Sequence, residues 1–449
     1  GNGWTASYST DREFGRPRGA VFANARVGSI GESPESYVLA LLWRLACLDN
    51  LRERLWPART AGLQYALDVG PRGVSLSFSG YSDGLAALAR DVSQSAAKFV
   101  PDEPSTARLA DVIRRDLQDK SKPYVAAGFA ATRALTRDGA FADQELVKAL
   151  DAIFGDGAAG AAVRVKAFAR DHLWAGGRPA LARGGDILVE GNFDEKESRA
   201  LAAAVAGALP LKTGGPNYPT PRGLALPTAP VVLRIGAEEI GTEERNSAAE
   251  LLLAVGSGPR AVALASVLSA LLKPIFFDAL RTKEQLGYVV QLGQRALPGA
   301  ARNVALVLLV QGEKPPSALT RRLRKFVTTE AAAAVRNLDE KTLRGIASSL
   351  ADQKLEPDRR LYDRAGRHWE ELRRTRDSTI EGAAVAPNWN RRYQTAAALN
   401  ALTLSDVRDL WADVVSGGSF AVEVSNAPVF DGETFARTAE EVRAVLKPS

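Results

Sequence analysis

Residues 62–84 read GLQYALDVGPRGVSLSFSGYSDG, and residues 287–316 read GYVVQLGQRALPGAARNVALVLLVQGEKPP. Each stretch opens on glycine, alternates apolar with polar side chains, breaks at a turn and resumes the alternation. The breaks fall at Gly70-Pro71 and around Pro298-Gly299. A period of two places successive side chains on opposite faces of a strand, and two such runs around a Pro/Gly break mark a hairpin. The same hairpin twice in one chain points to an internal duplication.

The flanks repeat the plan. Before the first hairpin, AVFANARVGS (20–29) reads as a strand, followed by an amphipathic helix from Pro34 to about Ala61. After it come helical segments over 85–100, 105–120 and 144–153, a strand DILVEGNF (186–193), and a helix from Asp194. Around the second hairpin, NSAAELLLAVGSG (246–258) is the strand, and Pro259 opens the long helix as a favourable first-turn residue. Helices over 317–336, 339–355, 360–374 and 404–415 follow. A closing strand SFAVEVSNAPVF (419–430) and a helix from about Glu433 complete the copy. Strands, then helices, then one returning strand predict an α+β fold. Each copy is expected to form a mostly antiparallel sheet with helices packed on one face.

Between the copies lies LKTGGPNYPTPRGLALPTAP (211–230), with five prolines and three glycines. Proline removes donors and glycine loosens the backbone, so a linker is expected there. The expected domains are 1–210 and 231–449, and 449 residues exceed one ordinary core.

Composition narrows the chemistry. A net charge of +6 spread over this length is weak support for nucleic-acid binding, and no such partner is expected. The basic run RRLRKF (321–326) sets Leu323 and Phe326 at helical spacing and reads as a solvated helix face. The single cysteine, Cys47, excludes an internal disulfide and any cysteine-ligated zinc, and its apolar surroundings predict a buried hydrophobe. The apolar run 261–272 is too short to span a bilayer, and GNGWTASYST has no leader pattern, so a soluble chain is expected.

Two motifs imitate catalytic signatures. GYSDG (80–84) matches G-x-S-x-G and would make Ser82 a nucleophile with His368 as its base. The strand before it is a hairpin arm, whereas a nucleophile elbow needs a central parallel strand, so a turn is the better reading. HWEEL (368–372) resembles H-x-x-E-H, but Leu372 replaces the second histidine. With His172 expected in the other domain, three zinc ligands cannot be assembled, and no metal site is assigned to this chain.

A different pair stands out in LRTKEQLGYVV (280–290). Arg281 and Tyr288 are seven residues apart, near two helical turns, across a glycine expected to end the helix with positive φ. A cationic guanidinium and a protonated phenol together could hold a substrate carbonyl and its developing oxyanion. Equally, Arg281 could pair with a carboxylate while Tyr288 fills the core edge. Superposing Gly62 on Gly287 sets Trp56 against Arg281 and Leu63 against Tyr288, so the first copy lacks the pair.

At LRTKEQLGYVV and the following QGEKPP (311–316), the sequence resembles the pitrilysin/insulysin family of H-x-x-E-H zinc metallopeptidases, specifically their C-terminal half. SGYSDG and EGNF in the first copy add weaker likeness, and the resemblance covers essentially the whole chain. It implies a clam-shell peptidase of four homologous domains. Zinc and the general base would lie in an N-terminal half, absent here. Arg281 and Tyr288, matching R-x6-Y, would bind substrate and transition state. The implied partners are the complementary H-x-x-E-H half and a peptide substrate. A non-catalytic scaffold or regulatory subunit, or a serine hydrolase using Ser82, are the alternatives.

Overall fold

The computed structural model describes residues 3–213, 221–298, 303–375, 379–380, 383–384, 386–426 and 435–446. Residues 214–220 of the expected linker, the tip of the second hairpin at Gly299, the end of the closing strand at 427–430 and the expected helix start at Glu433 lie outside them.

The chain forms two compact units, and neither is a continuous half of the sequence. The first comprises residues 1–119, 138–221 and 358–373, and the second 120–137, 222–357 and 374–449. Contiguous halves at 1–210 and 231–449 therefore do not describe the packing: each unit takes one helix from the other half.

Each unit is built on a five-stranded sheet, and the two sheets have one topology. In the first, the order is Trp4–Thr10, Gly185–Gly191, Arg18–Ala25, Gly73–Tyr81, Gln64–Gly70. In the second it is Val231–Ile235, Ser419–Val424, Ser247–Ser257, Asn303–Gly312, Val289–Ala296. The outer strand at one end pairs parallel with the last strand of its copy, and every other pairing is antiparallel. Both hairpins form as expected, so the duplication is exact at the level of strand order. The two parallel edge strands were not expected. Trp4–Thr10 is rich in Thr and Ser, with only Trp4, Ala6 and Tyr8 on its less polar face, and Val231–Ile235 directly follows a proline-rich stretch.

The main helical layer covers one face of each sheet, burying Val21, Ala23, Leu76 and Phe78 in the first unit and Leu251, Leu306 and Leu308 in the second. Cys47 is fully buried in the first core, and burial pushes its thiol up to about 12. In the second unit the helix Gly258–Phe277, continuing to Lys283, is long and apolar enough to cross a membrane by composition. It buries Ala263, Ala265, Val267 and Leu268 completely in the unit's core, as a core helix does.

The opposite face of each sheet carries the exchanged helix. In the first unit, Leu361–Thr375 lays Ala365, Trp369 and Leu372 on Ala20, Phe22 and Leu188. In the second, Pro123–Ala134 presents Ala126, Ala127, Ala130 and Ala131 to Ala248, Leu252, Val307 and Val422. Small side chains at helical spacing let that helix backbone approach the sheet closely.

Candidate functional site

The Arg281–Tyr288 region lies at the end of the long helix of the second unit. After Phe277 the helix widens into a π-helical turn, Asp278–Lys283, where Glu284 N–H donates to the Ala279 carbonyl at 3.0 Å. Such turns are uncommon and concentrate at functional positions. The helix then stops with Leu286 N–H donating to the Leu280 carbonyl at 2.9 Å. The left-handed residue at this stop is Gln285 (φ 49°), not Gly287 as expected.

Gly287 has a different reason to be glycine. A Cβ there would lie 1.8 Å from the Gln311 carbonyl oxygen, and one at Gly312 would lie 1.9 Å from the Leu286 carbonyl oxygen. The two glycines let the chain leaving the helix cross the neighbouring strand in backbone contact. In the first copy, Gly62 itself is left-handed (φ 82°). The two copies therefore end this helix differently.

The pair is brought together, though not by shared helical turns. Tyr288 lies beyond the helix, and Arg281 reaches over it, donating from Nη1 to the Tyr288 carbonyl. The guanidinium carbon stacks 4.5 Å from the Tyr288 ring centroid and 5.4 Å from that of Phe277. The Tyr288 side chain is 83% exposed, so its hydroxyl is open to a ligand. In the first copy, Trp56 is exposed and Leu63 is buried at the corresponding positions.

Arg322 supports this end of the helix, and the sequence reading missed it. Its Nε and Nη2 grip the Glu284 carboxylate at 2.6–3.0 Å, and Nη2 also reaches Glu330 at 2.5 Å. Glu330 lies in a second π-helical turn, Val327–Ala331, so one guanidinium ties both irregular turns together. Burial alone would raise the Glu330 carboxyl, but hydrogen bonds from Thr329, its own amide and Arg322 hold it below the ordinary range. RRLRKF is therefore only partly a solvated face. The signal available was Arg322 and Glu330 eight residues apart, on one side of a helix.

The other sequence candidates resolve as structure. Ser82 starts the helix Ser82–Lys98 after an antiparallel strand, and its N–H donates to the Pro17 carbonyl at 3.0 Å. His368 Nδ1 lies 2.8 Å from Glu190 Oε2. His172 packs on Phe168 with ring centroids 4.9 Å apart, and burial lowers its pKa. Both histidines belong to the first unit, contrary to the expectation of separate domains. Among the described residues, no three His, Cys, Asp or Glu side chains converge as a metal site. The donor set present does not fit a catalytic zinc, which needs three protein ligands and an open position.

Two α+β units of identical strand order define the class of fold, that of M16 peptidase domains. Residues 2–149 match the family described as "Middle or third domain of peptidase_M16". Residues 267–369 match "PQQ synthase PqqF-like, C-terminal lobe domain 4". Human insulin-degrading enzyme is 25% identical over 404 residues, covering 86% of this chain and 36% of that protein. The crystal structure of pitrilysin superposes with a TM-score of 0.81 at 18% identity, covering 99% of this chain and 45% of pitrilysin. A peptidase M16 inactive domain from Pseudomonas fluorescens superposes with a TM-score of 0.63 at 16% identity, covering 97% of this chain and 98% of that one. Both matched stretches and these relatives support the pitrilysin/insulysin family as the one this chain resembles. The chain spans 36% of the length of the first curated relatives it matches.

Proposed function

We propose that this chain is the C-terminal, zinc-less half of a pitrilysin/insulysin-like metalloendopeptidase. In this reading it closes a peptide chamber and offers Arg281 and Tyr288 to the substrate carbonyl. The observation that carries it is the exposed Tyr288 phenol under the Arg281 guanidinium, at a π-helical turn that the first copy lacks. The two matched families, described as a middle or third domain and a domain 4, fall in that order along the chain.

The chemistry asked of the pair is modest. As a nucleophile adds to a peptide carbonyl, charge gathers on its oxygen, and preorganised donors lower the barrier where that charge develops. The Tyr288 hydroxyl would donate directly. Arg281 would hold the phenol by stacking and supply positive potential beside it. Zinc and the general base would belong to the complementary H-x-x-E-H half.

One observation favours the scaffold alternative. Arg281 already donates to the Tyr288 carbonyl, as a purely structural brace would.

Reconstitution with an H-x-x-E-H half separates the two. Tyr288→Phe keeps the ring under Arg281, so it should leave the melting temperature unchanged while lowering kcat about a hundredfold. Unchanged turnover in the zinc-loaded pair would remove the catalytic role and leave the brace.

A further inference from the structure

The first unit holds a groove of about 760 Å³ that the donor pair does not use. Its floor is the end of the sheet at Gly19, Ser79 and Gly80, with Gly62 beside it. Its walls are the loop before Arg18 and the start of the helix Leu361–Thr375. Arg16, Arg18, Arg359 and Arg360 line it, against a single acid, Glu13.

The charges do not cancel locally. Glu13 is already paired with Arg364 at 2.9 Å, and Arg360 is paired with Asp363 at 2.8 Å. Among the described residues, Arg16 and Arg18 have no acidic partner, and the Arg18 guanidinium carbon lies over the Tyr81 ring, 4.8 Å from its centroid.

The walls are rigid. Asp11 accepts the backbone N–H groups of Glu13, Phe14 and Gly15 at 3.0–3.1 Å, which folds the loop into a tight turn. Arg364 ties that turn to the sheet, donating to Asp11 at 3.2 Å and to the fully buried Glu190 at 2.6 Å. Its guanidinium also covers the Phe14 ring at 5.0 Å. The turn that leads into Arg16 is thus fixed before anything binds, which limits the backbone entropy lost on binding.

We infer that this groove binds a carboxylate-rich peptide segment in extended form. Arginine is the residue that grips carboxylates bidentately. The volume falls within the range of ligand sites. The lining is not only cationic: Phe14, Leu361 and Tyr362 offer apolar surface. Gln64 opens the outermost strand of the sheet, whose far side has backbone groups to pair with a chain. A free phosphate would use the cations and none of these. The site lies in the other unit from Arg281 and does not rest on the proposed role of that residue.

Fluorescence anisotropy on the full chain tests it, with a labelled six-glutamate peptide, its six-glutamine analogue and inorganic tripolyphosphate as probes. The glutamate peptide should bind, more weakly as salt rises, and the glutamine analogue should bind about tenfold or more weakly. The Arg16→Ala/Arg18→Ala variant should lose about tenfold in affinity with unchanged circular dichroism. Lys98→Ala/Lys341→Ala removes the same charge elsewhere and should change little. Equal loss in the two variants would mean unspecific attraction and overturn the site. Binding of tripolyphosphate without the peptide would overturn the peptide in favour of a free anion. Either result leaves the reading of Arg281 and Tyr288 untouched.

Discussion

Gly287 and Gln285 divide between them a job that sequence assigns to one glycine. The pattern of a helix running into a strand correctly marks a special residue at 287, but the reason is contact, not φ. Gly287→Ala should therefore destabilise by about 3 kcal/mol, because a backbone oxygen at 1.8 Å must move. Gly293→Ala, four residues into the same hairpin's first strand region with no heavy atom within 4 Å, should stay within about 0.5 kcal/mol. Urea denaturation of both decides it, and similar values would sink the contact argument. Arg281 and Tyr288 were legible as a pair because both lie in one short stretch. Arg322 was not, because its partner Glu284 is 38 residues away and only the fold brings them together.

At the scale of elements, the helix Leu361–Thr375 shows how a decoy motif becomes a fastening. Its HWEEL segment places Trp369 against Phe22, with ring centroids 5.6 Å apart and 16° between planes, and His368 on Glu190. Arg364, one turn earlier, joins Glu190 to Asp11. Burial would raise the Asp11 carboxyl, but the Glu13 and Phe14 amides and Arg364 outweigh it and hold the pKa below its ordinary 3.8. A carboxyl depressed in the folded state adds stability above its unfolded pKa and loses it as pH falls through the folded value. Asp11→Asn should thus weaken the chain at pH 7 and flatten the loss of stability below about pH 4. Melting temperatures of the two proteins from pH 7 to pH 2 give the comparison, and parallel curves would exclude Asp11 from the acid response. The helix was foreseen, but its destination was not. Its apolar stripe would suit either sheet.

At the scale of the whole molecule, each unit closes the second face of its sheet with a helix from the other sequence half. Pro123–Ala134 sits on the second sheet and Leu361–Thr375 on the first. Residues 1–213 alone would leave Phe22 and Leu188 uncovered, and 221–449 alone would leave Leu252 and Val422 uncovered. Expressed separately, the two pieces should bind a hydrophobic dye and melt without cooperativity; co-expressed, they should elute from size exclusion as one folded 1:1 species. Two pieces that each melt cooperatively alone would refute the exchange. Period-two alternation, the repeated hairpins and the proline-rich stretch by themselves determined the α+β class, the duplication and the singular donor pair, because these are local patterns. Only tertiary structure decided which helix covers which sheet, why Gly287 must be glycine, and how Arg16 and Arg18 come to line one groove. Those outcomes depend on surfaces that meet only after the chain has folded, and apolar stripes of similar width do not name their partners in advance.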